Sequence, residues 1–216
     1  MSTGAGLRLA IVISGRGSNM LAIARACAAG RIAARVVLVL ADRPEAGGIQ
    51  SARDLELPVA VIAAREFPDR AAFEQALRIA IDASGAQLVV LAGFMRILSP
   101  EFAAHYAGRM LNIHPSLLPR YPGLHTHERV LAAGDALHGC SVHFVTGVLD
   151  GGPLVLQGRV PVLPGDTPAT LSARVQQQEH IIYPEVIGWI AAGRLTWTGA
   201  ALQLDGQPLT GPVIRA

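Results

Sequence analysis

Four near-continuous apolar runs, LRLAIVI (7–13), ARVVLVLA (34–41), PVAVIAA (58–64) and QLVVLAG (87–93), constrain this chain more than any other feature. Each is too short for a buried helix, and their Val and Ile content suits strands covered on both faces. Helical segments separate them. NMLAIARACAAG (19–30) has Asn19 as its N-cap and Gly30 as its stop, and 48–57 predicts a short helix. Residues 69–84 carry an apolar stripe at Phe73, Leu77, Ala80 and Ile81, capped by Asp69. This alternation predicts an α/β fold with a doubly wound, mostly parallel twisted sheet.

The pattern changes after a short helix near 100–107 and a fifth strand, MLNIH (110–114). CSVHFVTG (140–147) and PLVLQGRVPV (153–162), joined by VLDGG, predict a mixed or antiparallel C-terminal part of the sheet. Thr167 and Pro168 open a long helix towards 192, in which Pro184 predicts a kink. LTWTGAALQLDGQPL near the end predicts a hairpin turning at Asp205-Gly206. There are no repeats or linkers. The expectation is one domain over 1–216, with a phosphate-binding half to about 105 and a catalytic half from about 106.

Composition narrows the function classes. Eighteen basic against sixteen acidic side chains leave a net charge of +2, which argues against nucleic acid as the main partner. No apolar run approaches the roughly 20 residues that span a bilayer, and no signal-peptide pattern opens the chain. Cys27 and Cys140 suit free thiols in a reducing compartment. A cytoplasmic protein with small-molecule partners, monomeric or homodimeric, is expected.

Two places carry chemistry. SGRGSN (14–19) links the first strand to the first helix, where glycines and free N–H groups suit an anion. It lacks the third glycine of a dinucleotide loop and the Gly-Lys-Ser/Thr ending of a triphosphate loop. Gly17, Ser18 and Asn19 therefore point to a simpler phosphate, or to a tight turn alone. In LNIHPSLLPRYPGLHTH (111–127), strand alternation puts Asn112 and His114 on one face and sends Leu111 and Ile113 to the core. An amide beside an imidazole suits a developing oxyanion, with Asp150 in the LDGG turn as the partner of the imidazole. Each residue also has an ordinary use in a loop, a core or a turn. His125 and His127, with His114 and Asp150, form a weaker zinc possibility.

SGRGSNM, LAGFMRILSP, LNIHPSLLPRYPGLHTH, GCSVHFVTGVLDGGPLVLQ and ARVQQQEHIIYP together resemble the folate-dependent formyltransferases, over about residues 7–205. Within that family the resemblance is to the phosphoribosylglycinamide formyltransferases of purine biosynthesis. It implies transfer of the formyl group of 10-formyltetrahydrofolate, as co-substrate and without a metal, to the amine of 5-phosphoribosylglycinamide. Asn112 and protonated His114 would stabilise the tetrahedral intermediate. Asp150 would keep His114 charged and order a water that carries the amine proton towards N10. Gly17, Ser18 and Asn19 would hold the ribotide phosphate, and Gln176 and Glu179 the ribose. Met95, Arg96, Ile97 and Leu98 would line the folate pocket, and Thr146, Gly147, Val148 and Leu149 would close it. Arg70 would meet the glutamate tail. Arg16 and Cys140 depart from the familiar pattern, and residues 42–48 have no assigned role. Two rivals are a hydrolase releasing formate from the same donor, or a formyltransferase for another amine. A third is a nucleotide-binding module with Asp42 as its ribose acid.

Overall fold

A computed structural model describes residues 6–199 and 201–216. An eight-stranded sheet takes strands from both sides of residue 105, in the order β11-β7-β6-β5-β4-β1-β2-β3. Its members are β1 (Leu7–Ile13), β2 (Ala34–Ala41), β3 (Val59–Val61), β4 (Leu88–Leu91), β5 (Met110–His114), β6 (Leu137–Phe144), β7 (Leu154–Pro161) and β11 (Val213–Arg215). β1 to β5 are mutually parallel, whereas β6 pairs antiparallel with both β5 and β7. β11 adds to β7 in parallel and is an element with no apolar run to announce it. A small antiparallel sheet joins β8 (Leu195–Trp197), β9 (Leu202–Leu204) and β10 (Gln207–Pro208). Its β9–β10 hairpin turns at Asp205-Gly206 as expected, while residue 200 lies outside the described residues.

Six helices cover the large sheet: α1 (Ser18–Ala28), α2 (Gly48–Asp54), α3 (Arg70–Ala83), α4 (Pro100–His105), α5 (Thr126–Ala133) and α6 (Pro168–Ala191). Leu9, Ile11 and Ile13 pack towards α1 and α6, and Ala10 and Val12 towards α3 and α4. Both faces of β1 are thus buried, which is why its run is continuously apolar. The expected caps form at two helices: Asp69 accepts from Ala72 N–H, and Thr167 forms a capping box with Thr170. α6 runs unbroken through Pro184. α2 stops three residues short of the expected 57, because Glu56 adopts a left-handed conformation (φ 54°) that no helix continues. No helix among the described residues is long and apolar enough to cross a membrane.

Asn19 does not cap α1. Gly17 occupies the N-cap in a left-handed conformation (φ 73°), and the Asn19 side chain turns inward instead. Only glycine fits there for a second reason: a Cβ would stand 2.9 Å from Gly48 Cα.

The β5–β6 register sets Asn112 opposite His143 and His114 opposite Ser141. On its other edge β6 runs close to β7. A Cβ on Gly139 would collide with the Gly158 carbonyl oxygen. Gly139→Ala should therefore cost about 1–3 kcal/mol, as overpacking does. Urea unfolding measures it, and an unchanged midpoint would mean the two strands have slack that the structure does not show.

Candidate active site

Two adjacent parallel strands, β1 and β4, send their following segments to opposite faces of the sheet. β1 leads to α1 on one face and β4 to α4 on the other. A crevice opens where they part, the place at which open α/β sheets bind ligands. Ser14 holds its floor together: its N–H donates to Gly93 O (3.2 Å) and its Oγ accepts from Met95 N–H (2.9 Å).

On one side of Ser14 lie Gly17, Ser18 and Asn19, joined to α6. Gln176 Nε2 donates to Ser18 Oγ at 3.0 Å, and Asn19 Nδ2 donates to Glu179 Oε2 at 2.8 Å. The sequence spacing of Gln176 and Glu179 does put them on one helical face, and that face meets the turn after β1. Glu179 is almost fully buried. Desolvation raises its pKa, with the Asn19 hydrogen bond opposing the rise. Asn19 Oδ1 has no partner in the protein. The turn itself is pressed by the start of α2, where Gly48 N–H donates to Gly15 O (3.0 Å).

On the other side is a cavity of about 490 Å³. Met95, Arg96, Ile97 and Leu98 form one wall, and Thr146, Gly147, Val148 and Leu149 the facing one. Met95, Ile97, Val148 and Leu149 are exposed apolar side chains, so the space between the two walls is suited to a flat apolar ligand. Asn112, His114 and Asp150 meet at the cavity's end.

Backbone carbonyls fix the protons here. His114 Nε2 lies 2.9 Å from Tyr121 O, which only accepts, so Nε2 carries hydrogen. His114 Nδ1 faces Asp150 Oδ2 at 3.4 Å. Asp150 Oδ2 also accepts from Gly123 N–H (2.9 Å), and Asp150 is left-handed (φ 51°) in its turn. That conformation is one Asp tolerates better than most residues.

Sequence reasoning missed His143, whose place in an apolar strand reads as core. His143 Nδ1 meets Phe144 O at 2.9 Å and therefore carries hydrogen. Burial lowers its pKa, leaving Nε2 as an acceptor. Asn112 Nδ2 lies 3.2 Å from that nitrogen. One amide N–H is thus spent on His143, which leaves the second for the cavity. Thr126 was missed as well. It lines the cavity, is 3% exposed, and its hydroxyl has no partner in the protein.

Several expected residues lie elsewhere. Arg70 does not line the cavity; it is on α3, 3.8 Å from Glu74. His125 and His127 line the cavity with His114 but form no ligand cluster with it. The His125 side chain is largely exposed at the start of α5, and His127 Nδ1 pairs with His138 Nε2 at 3.0 Å. Burial pushes His138 down to about 4. Among the described residues no group of three His, Cys, Asp or Glu side chains could hold a metal. Asp42 is not free for a ribose either, since it is fully buried against Arg96.

A profile of the formyl transferase family matches residues 7–187. The phosphoribosylglycinamide formyltransferase of Escherichia coli (strain K12) is 51% identical over 203 residues, covering 94% of this chain and 96% of that protein. The trifunctional purine biosynthetic protein adenosine-3 of Homo sapiens is 40% identical over 186 residues, 86% of this chain and 18% of its own length. Among solved structures, the phosphoribosylglycinamide formyltransferase of Coxiella burnetii superposes with a TM-score of 0.93 at 48% identity, covering 98% of this chain and 100% of that one. The glycinamide ribonucleotide transformylase 1 of Symbiobacterium toebii gives 0.89 at 42% identity, covering 94% and 95%.

The buried Glu179 makes a testable demand on stability. An acid whose pKa is raised on folding holds its proton more tightly folded than unfolded. Its favourable contribution is complete below the ordinary value of 4.5 and is lost as pH rises through the raised one. Near neutral pH the ionised form weighs against folding. Glu179→Gln should therefore unfold at higher urea than the parent near neutral pH, with Asn19 Oδ1 available to the new amide. The gap should narrow below 4.5. Equal midpoints throughout would show that the carboxylate carries no such penalty.

Proposed function

The chain belongs to the formyl transferase family, and from that premise we propose that it moves the formyl group of 10-formyltetrahydrofolate onto the amine of 5-phosphoribosylglycinamide. The products are N-formylglycinamide ribonucleotide and tetrahydrofolate. One observation carries the reading: Asn112, His114 and Asp150 converge between an apolar cavity and a separate turn suited to phosphate.

In this reading the amine nitrogen attacks the formyl carbon, a tetrahedral intermediate forms, and the bond from carbon to N10 breaks as N10 gains the amine proton. The intermediate's oxyanion meets the free N–H of Asn112. The other N–H of that amide, held by neutral His143, prevents it from turning its oxygen inward. His114 supplies positive charge beside it. A direct bond from Nε2 requires it to leave the Tyr121 carbonyl. Asp150 compensates the imidazolium and orders the water that carries the proton to N10. A fixed donor aimed where charge develops is worth about 2.7–4 kcal/mol.

The pteridine end of the donor lies between the 95–98 and 146–149 segments, its polar edge met by backbone groups. Gly17, Ser18 and Asn19 take the ribotide phosphate, because the first turn of α1 offers unpaired N–H groups. Gln176 and Glu179 take the ribose hydroxyls. An ionised Glu179 accepts from them, and this use explains why a buried carboxylate is kept despite its desolvation. Arg70 lies outside the cavity but on the flank of its 95–98 wall, where an extended glutamate tail emerges.

Asn112→Ala and His114→Ala should each lower kcat by roughly 10²–10³-fold with the fold intact by circular dichroism. Turnover within a few-fold of the parent in either would remove that residue from the mechanism. Following tetrahydrofolate and formate with and without the ribotide amine should show product only when the amine is present. Formate release without it would instead indicate a hydrolase.

A further inference from the structure

Asp42 is the residue the site leaves unexplained. It follows β2 on the floor of the fold, with a side chain fully removed from solvent. Its backbone is pinned on both sides: its N–H donates to Ile13 O of β1 (3.3 Å), and its carbonyl accepts from Ala64 N–H (3.0 Å). One carboxylate oxygen accepts from Arg96 Nε at 2.6 Å, and the other is 3.5 Å from Arg43 Nε. That second oxygen has no hydrogen-bond partner, so Arg96 carries most of the compensation for a buried charge.

Arg96 belongs to the 93–98 segment, which forms one wall of the cavity and has no regular structure of its own. Its guanidinium also stands 5.4 Å from the Phe73 ring centroid, over α3. Phe94 and Leu98 pack against the core at either end of this segment, and polar side chains anchor it at three places among the described residues. Ser14 Oγ takes Met95 N–H, and buried Glu74 takes both the N–H and the hydroxyl of Ser99 at the far end. The Asp42–Arg96 pair is the anchor in the middle, flanked by the exposed Met95 and Ile97. Without it, no hydrogen bond from a side chain would hold the wall between Met95 and Ser99.

We infer that Asp42 is a positioning residue for the formyl donor, acting through Arg96 to set the backbone of the 95–98 wall against which the donor's ring system binds. This rests on the donor site proposed above. The pair ties the wall to β1 and β2, so the rigidity of the sheet is passed to a loop that must present its backbone groups at fixed spacing. It also means that the Arg96 guanidinium is occupied from below, leaving the backbone of Arg96, more than its charge, to serve the ligand.

The test is steady-state kinetics of Asp42→Asn, Arg96→Gln and the double variant, with each substrate varied in turn. Asp42→Asn should raise KM for 10-formyltetrahydrofolate by about 10-fold, the scale of about 1.4 kcal/mol of coupling, while KM for the ribotide amine changes less than about 2-fold. In the Arg96→Gln background, Asp42→Asn should add nothing further. Equal rises in both KM values would mark a general structural role and overturn the inference. So would additive effects of the two substitutions, or an unchanged donor KM in Asp42→Asn. Arg96 is partly exposed, so Arg96→Gln keeps the test readable if Asp42→Asn folds poorly: an unchanged donor KM there also overturns it. Failure of the functional reading looks different, since the parent protein itself would then show no donor-dependent turnover.

Discussion

Parallel strands pair along their length, but the chains that leave them must choose a face. β1 and β4 choose opposite faces, and everything functional in this protein follows from that divergence. Beyond the split the two segments share one backbone bond, Ser14 N–H to Gly93 O, and then leave the ladder as loops. One loop is tightened by glycines and ends in α1. The other stays irregular and is tied down by Ser14, Asp42 and Glu74. Two ligand surfaces thereby arise from neighbouring strands, with strand spacing fixing their separation at about 4.8 Å at the root.

The switch from parallel to antiparallel pairing at β5 adds the chemistry. The chain leaves β5, passes through α5 and returns as β6 running the other way, with its side chains beside those of β5. That is how His143 comes to stand opposite Asn112. Two carbonyls, of Tyr121 and Phe144, then dictate where the ring protons sit, because a carbonyl has nothing to donate. The site thus contains two rings that face one carboxylate, and burial lowers the pKa of the one bonded to the Asn112 amide.

Much of this was legible in the residues. Runs such as LRLAIVI announce strands buried on both faces, and alternation in MLNIH puts Asn112 and His114 together before any coordinates exist. The i, i+3 spacing of Gln176 and Glu179 was equally readable. What could not be read were pairings set by distance in the chain. Asp42 and Arg96 are 54 residues apart, and nothing local marks them as partners. Asn19 looked like a cap because Asn often is one, yet its partner, Glu179, lies 160 residues away. β11 carries only three residues, partly or fully exposed, so it has no apolar signature. His143 was hidden by its own strand, where a histidine among apolar neighbours looks like filler.

The helix α6 deserves a last consideration. Gln176 and Glu179 occupy one turn of it, while the 95–98 wall of the cavity and the Asn112–His114–Asp150 group are carried by loops and β5 on the far side of Ser14. In the proposed reading, acceptor recognition and formyl chemistry are thus encoded in separate pieces of chain. Such an arrangement is open to descent with modification, because side chains on one helical turn are substituted without touching those around Asn112 and His114. A fold divided in this way can seed a lineage of enzymes that share one reactive centre and differ in what they formylate.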